Sequence, residues 1–201
     1  MKRGAVVLCG GRSTRMGRDK ASLPFGSETL LGRVARILLP VVEEVLVVGR
    51  RGQALPPLPD GVRVVHDDVE DQGPLGGLVP ALRATSADAV YVTGCDVPFL
   101  EPAIVGFLFD RLDGHDVVVP RAEGFTQPLS AVYRAAVLPT LERLFAAGRR
   151  RPVHLFDEVD TSVVEEDALR AVDPELATLA NLNTPEAYEA ALARRAAEEG
   201  P

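Results

Sequence analysis

The residues with the most chemistry in them lie early in the chain. Leu8 to Lys20 reads Leu-Cys-Gly-Gly-Arg-Ser-Thr-Arg-Met-Gly-Arg-Asp-Lys. The pair Gly10-Gly11 lets backbone N–H groups approach a phosphate chain without interference from a Cβ. Arg15 and Lys20 then supply positive charge to the phosphates. The plainer alternative is a tight surface turn carrying solvated arginines. No Gly-Lys-Ser/Thr closes the stretch and Gly-x-Gly-x-x-Gly does not fit it, so neither a P-loop ATPase nor a simple dinucleotide binder is favoured. Asp96, in Gly94-Cys95-Asp96-Val97-Pro98, has the chemistry to hold a divalent cation against a triphosphate; it is equally suited to capping a helix. Asp67 also follows an apolar run. Asn181-Leu182-Asn183-Thr184-Pro185-Glu186 contains a helix start, with Thr184 as cap, Pro185 at the first helical position and Glu186 in the first turn. Capping does not require the two asparagines in front of it.

These residues need a scaffold, and the apolar pattern supplies one. Gly4 to Cys9 is a continuous apolar run of the kind buried on both faces of a parallel sheet. Val45–Val48, Val62–His66, Ala89–Thr93, Val117–Val119 and Gln127–Tyr133 read as further strands. Helical spacing runs through Glu28–Leu39, ended by Pro40, and helices are expected up to about Ala84, over Pro102–Leu112, Ala136–Ala147 and Pro185–Glu198. Leu55 to Gly61, with Pro56, Pro57 and Pro59, is a loop. Strands alternating with helices predict an α/β fold, a three-layer sandwich around a mainly parallel sheet. Ligands of such sheets bind outside the carboxyl ends of the strands. Gly10-Gly11, Gly49-Arg50, Asp67 and Asp96 all fall at that edge.

Composition narrows the class of protein. The 201 residues suit a single domain spanning 1–201, with 46% hydrophobic and 25% charged residues. A net charge of −7 argues against nucleic acid as partner. Within that acidic background, Arg12 to Lys20 is a basic island, which points to a small anionic ligand. The apolar start is too short for a signal peptide and no run is long enough for a membrane span, so the expectation is a cytoplasmic protein with no membrane partner. Cys9 and Cys95 form neither a disulfide framework nor a metal-ligand spacing, and read as buried thiols. His66, His115 and His154 form no triad or ligand pattern and are read as structural. Among 22 basic residues only Lys2 and Lys20 are lysine, and the only asparagines are Asn181 and Asn183. In a chain so short of lysine and asparagine, those retained point to chemistry that cannot be swapped, the terminal Lys2 aside.

The signature Leu-x-Gly-Gly-x-x-x-Arg-Met-Gly-x-Asp-Lys resembles that of the molybdenum cofactor guanylyltransferases and their wider relatives, the cytidylyltransferases and sugar-phosphate nucleotidyltransferases. The likeness extends to Cys95-Asp96-x-Pro98, Gly73-Pro74-Leu75-Gly76-Gly77, Gln127-Pro128-Leu129, Gly148-Arg149-Arg150-Arg151 and Asn181-x-Asn183-Thr184-Pro185-Glu186. Cys9 stands where alanine is common, and Gly49-Arg50 where relatives often have asparagine. The resemblance implies a Rossmann-like nucleotidyltransferase fold and transfer of GMP from GTP to the terminal phosphate of molybdopterin. It implies Leu8, Cys9, Gly10, Gly11, Lys20, Asp67 (which register favours over Asp68), Gly76 and Asp96 at the nucleotide, Arg15, Lys20 and Asp96 in catalysis, and Mg²⁺ on Asp96. Asn181 and Asn183 fall on the acceptor side of the cleft, and other proteins of molybdenum cofactor biosynthesis are possible partners. A cytidylyltransferase, a sugar-phosphate nucleotidyltransferase and a non-catalytic nucleotide-binding partner in cofactor delivery remain as alternatives.

Overall fold

The computed structural model describes residues 1–9, 19–67 and 75–199. The first strand, β1 (Arg3–Leu8), is followed by a short hairpin, β2 (Pro24–Phe25) and β3 (Glu28–Thr29), and by helix α1 (Leu30–Leu38). Then come β4 (Glu44–Arg50), β5 (Val62–Asp67), α2 (Leu78–Ala84), β6 (Ala89–Gly94) and α3 (Pro102–Phe109). The second half holds β7 (Val117–Ala122), β8 (Phe125–Thr126), β9 (Ser130–Arg134), α4 (Leu138–Ala146), α5 (Pro152–Phe156), β10 (Thr161–Val164), α6 (Glu166–Arg170) and α7 (Pro185–Glu199).

The main sheet runs β10-β7-β9-β6-β1-β4-β5, with β8 paired to β7. Strands β6, β1, β4 and β5 are mutually parallel, while β9 runs antiparallel to both of its neighbours. Alternation along the strands divides the core into two layers. Ala5, Val7, Val45, Val47, Ala89 and Tyr91 pack with α1 and α3 on one face. Val6, Leu46, Val48, Val90 and Val92 pack with α2 and α4 on the other. Each side chain of leucine size buried in this way stabilises the fold by about 1.5–3 kcal/mol. The expected α/β three-layer architecture around a mainly parallel sheet is what forms. Among the described residues no helix is long and apolar enough to cross a membrane.

Some boundaries differ from expectation. Helix α1 starts at Leu30, not Glu28, because Thr29 is its N-cap, its hydroxyl accepting from the Gly32 N–H at 3.1 Å. Strand β9 begins at Ser130 because Gln127 to Ser130 forms a turn, closed by a 3.0 Å bond from the Ser130 N–H to the Gln127 carbonyl. Pro128, inside that turn, has no N–H to give a sheet.

A third, smaller cluster fixes the chain's end against its beginning. Phe25, Leu30, Phe99, Leu182 and Ala191 are buried together, with Phe25 and Phe99 edge-to-face at 5.8 Å. Arg195 of α7 is buried, donates to the Phe25 carbonyl and lies over the Phe25 ring at 5.0 Å. Helix α7 therefore holds the hairpin that follows the turn opened by Lys20.

Candidate active site

Parallel neighbours of β1 lie on both sides: β4 continues one way and β6 the other, with Leu8 opposite Val48 and Gly94. The chain order reverses here, and in sheets of this kind the ligand crevice lies beyond the carboxyl ends of the strands at such a point, here β1 and β6. Asp96 follows β6 by two residues. It does not cap a helix, since α3 starts at Pro102 behind Glu101. Its carboxylate instead meets the Lys20 ammonium at 2.7 Å, with side-chain exposures of 16% and 18%. The same Nζ donates to Asn183 Oδ1 at 2.8 Å. The Asp96 carbonyl accepts from the Leu182 N–H at 2.9 Å, which holds the asparagine segment against the crevice. Two residues far apart in sequence, Asp96 and Asn183, thus converge on one ammonium.

Local structure explains each placement. Lys20 opens a 3-10 turn, Lys20–Ser22, capped by Asp19, whose Oδ1 accepts from the Ala21 N–H at 3.0 Å. Gly94 gives the Asp96 carboxylate its room, because a Cβ there would lie 2.6 Å from Asp96 Oδ1. Thr184 caps α7 through the Ala187 N–H at 3.2 Å, as its sequence context suggests. Asn183 is the residue just outside that cap.

The remaining expected residues are placed as follows. Leu8 ends β1, and a Cβ on Gly77 would come within 2.8 Å of Leu8 Cδ2, so the turn leading into α2 sits close over the strand end. Gly76 is buried in that turn. Cys9 extends the β1–β4 ladder, its N–H donating to the Val48 carbonyl at 3.0 Å and its thiol to the same oxygen at 3.2 Å. Burial pushes the Cys9 thiol up to about 12, with the Asp19 carboxylate adding to the effect. Burial likewise raises Cys95, helped by the Asp96 carboxylate. Both are packing groups, as expected. Asp67 ends β5 opposite Arg50 of β4, on the crevice side of the sheet. Asn181 does not join Asn183 at the ammonium; its amide points to the Leu179 carbonyl at 3.5 Å. Gly10, Gly11 and Arg15 lie outside the described residues, as do Gly73 and Pro74.

Two contributors carry little signal in the sequence. Gln53 sits beside the crevice with its amide bonded on three sides. Gly94 acts by what it lacks. A glycine immediately before Cys95-Asp96, and a glutamine just after Gly49-Arg50-Arg51-Gly52, are the only marks they leave.

A doubly wound sheet with an ammonium, a carboxylate and an amide gathered at its switch point defines a nucleotide-handling α/β protein. The family model for the MobA-like NTP transferase domain matches residues 5–162, and the chain belongs to that family. A protein of Methanosarcina mazei named "Probable molybdenum cofactor guanylyltransferase" is 38% identical over 198 residues, covering 93% of this chain and 88% of that one. Molybdopterin-guanine dinucleotide biosynthesis protein A from Archaeoglobus fulgidus shares the fold, with TM-score 0.78 at 24% identity over 96% of this chain and 98% of its own. The 2-C-methyl-D-erythritol 4-phosphate cytidylyltransferase of Thermus thermophilus does so at TM-score 0.71 and 20% identity, over 96% and 98%. The fold is thus the nucleotidyltransferase fold, common to enzymes named for different bases.

Proposed function

We propose that this chain, acting as one domain in the cytoplasm, transfers GMP from GTP to the terminal phosphate of molybdopterin. An oxygen of that phosphate attacks the α-phosphorus of GTP; the bond from the α-phosphorus to the departing pyrophosphate breaks. The observation that carries the reading is the Lys20 ammonium fixed between Asp96 and Asn183 at the switch point of a family fold. Relatives at 38% identity named as guanylyltransferases of the molybdenum cofactor support the choice of substrates.

The chemistry asks little of a base. A phosphate monoester has a second pKa of about 6, so the nucleophile is already largely dianionic at neutral pH. What the site must do is align two anions and neutralise the charge that develops between them. Lys20, oriented in advance by two acceptors, serves that purpose with no reorganisation during the reaction. Arg15 and the backbone of Gly10-Gly11 complete the phosphate cradle, with Leu8 and Cys9 at its base. Asp67 accepts from the guanine N1–H and N2 amine, a pairing cytosine does not offer, and Gly76 lets the α2 turn approach the nucleoside. Asn183 serves the acceptor side, and the acceptor reaches the enzyme from other proteins of the same cofactor route.

The donor set fits Mg²⁺. Among the described residues no cluster of three or more acidic, histidine or cysteine side chains forms a protein cage for a metal. A lone carboxylate beside a phosphate site is what Mg²⁺ uses when substrate oxygens and water complete its shell, and Asp96 would hold it. Bound there, Mg²⁺ would neutralise phosphate charge.

Thermal stabilisation by GTP, CTP, ATP and UTP, each with Mg²⁺, tests the reading. A nucleotide at 100 times its Kd adds about 2.7 kcal/mol of stability, or roughly 5–11 °C for a domain of this size. A shift with GTP alone is expected. A shift with CTP alone would overturn the substrate assignment.

A further inference from the structure

Gln53 lies just beyond β4, and its side-chain amide makes three bonds. Its Oε1 accepts from the Arg50 N–H at 2.9 Å. Its Nε2 donates to the Cys9 carbonyl at 3.1 Å and to Asp19 Oδ2 at 2.7 Å. Cys9 and Asp19 are the residues that bound the stretch Gly10 to Arg18. One amide therefore ties together the two flanks of the glycine-rich segment and fastens both to the end of β4. The floor beneath it is Gly49, where a Cβ would stand 3.2 Å from Gln53 Oε1.

The asymmetry of an amide matters here. Both Nε2 partners are acceptors only, and the Oε1 partner is a donor only, so an amide satisfies all three and neither a carboxylate nor an ammonium does. Asp19 passes the constraint on. Its Oδ2 takes the Gln53 bond while its Oδ1 caps the turn that Lys20 opens. A displaced Asp19 moves the first residue of that turn, and with it the root of the lysine that reaches Asp96.

We infer that Gln53 is a positioning residue of the nucleotidyl-transfer site, setting Lys20 through Asp19 and tying Asp19 to Cys9 and the end of β4. This rests on the phosphate role given to Lys20 above. It touches no substrate in that role. Its contribution is geometric, so its loss is felt in turnover more than in folding.

The test is a donor–acceptor exchange across the Asp19–Gln53 bond. Gln53→Glu keeps size and the Arg50 bond but loses both donors and sets two carboxylates together. Gln53→Met removes the amide without adding charge, and covers the case in which the glutamate variant folds poorly. Asp19→Asn with Gln53→Glu restores a donor facing an acceptor, while asparagine Oδ1 still caps Ala21. Misplacing a group by about 1 Å costs on the order of 100-fold in rate. The expected result is a 10- to 100-fold fall in kcat for Gln53→Glu and Gln53→Met, with melting temperatures within a few degrees of wild type. The double variant is faster than Gln53→Glu, recovering the part of the loss carried by the Asp19 bond while the Cys9 carbonyl stays unpaired, and the coupling is read from the complete cycle with Asp19→Asn alone. Gln53 variants turning over within about threefold of wild type, or a double variant no faster than Gln53→Glu, overturn the inference while leaving the reaction intact. Wild-type protein that makes no pyrophosphate from GTP and molybdopterin overturns the reaction itself, and this inference with it.

Discussion

Replacing Lys20 separates a catalytic ammonium from a structural one, and the geometry gives the scale of both effects. At 2.7 Å, the Lys20–Asp96 pair attracts by roughly 6 kcal/mol in an effective dielectric of about 20. Desolvating two groups as enclosed as these offsets most of that gain, leaving a net contribution of about 1–2 kcal/mol to folding. Lys20→Ala should therefore lower the melting temperature by only about 2–8 °C. The loss in catalysis is larger. A preorganised donor aimed at developing charge is worth about 100- to 1000-fold in kcat, and the phosphate role proposed for this ammonium belongs in that range. The assay is pyrophosphate release from GTP with molybdopterin, alongside a thermal melt of the same preparations. Lys20→Met, which keeps most of the side-chain length and removes the charge, should behave like Lys20→Ala in rate. Either variant turning over within about threefold of wild type would refute the role given to Lys20. A rate loss accompanied by a melting shift well beyond 8 °C would refute the estimate that the pair is structurally minor.

Two further outcomes follow from neighbouring residues. Gly94→Ala puts a Cβ 2.6 Å from Asp96 Oδ1; the short carboxylate must swing away, so turnover should fall about 10-fold or more while the overpacking costs about 1–3 kcal/mol in a denaturant melt. An unchanged rate would show that the Asp96 position is not critical. The Cys9 thiol, raised from 9.0 to about 12, remains protonated in the fold while an unfolded chain ionises it. Its contribution is complete below pH 9 and is lost as pH rises from about 9 to about 12, at up to about 1.4 kcal/mol per pH unit. Cys9→Ala should flatten the stability profile above pH 9, measured by denaturant titration at each pH, and a profile as steep as wild type would contradict the burial argument.

How far the sequence reveals this site depends on the kind of information each residue carries. Lys20 and Asp96 are legible because their charge is out of place, one in a chain that elsewhere prefers arginine, the other at the end of an apolar strand. The mainly parallel sheet is legible too, since continuous apolar runs alternate with helices. The short elements between Pro152 and Arg170 are not legible. Helices α5 and α6 have five residues each, too few to show a helical period, and β10 is a four-residue edge strand with polar residues in it.

What local pattern cannot show at all is convergence. Lys20 meets Asp96 across 76 positions and Asn183 across 163, and nothing in the intervening residues encodes those meetings. They arise because β1 and β6 are parallel neighbours and because the Leu182 N–H is tied to the Asp96 carbonyl. The same convergence separates the two asparagines, which the sequence presents as equals. The backbone turn that carries Asn183 to the ammonium leaves Asn181 at the Leu179 carbonyl. Capping accounts for neither residue, but only Asn183 now has a partner that a phosphate-handling site would need. The burden of the acceptor-side reading therefore falls on Asn183, whose Oδ1 helps orient the Lys20 ammonium.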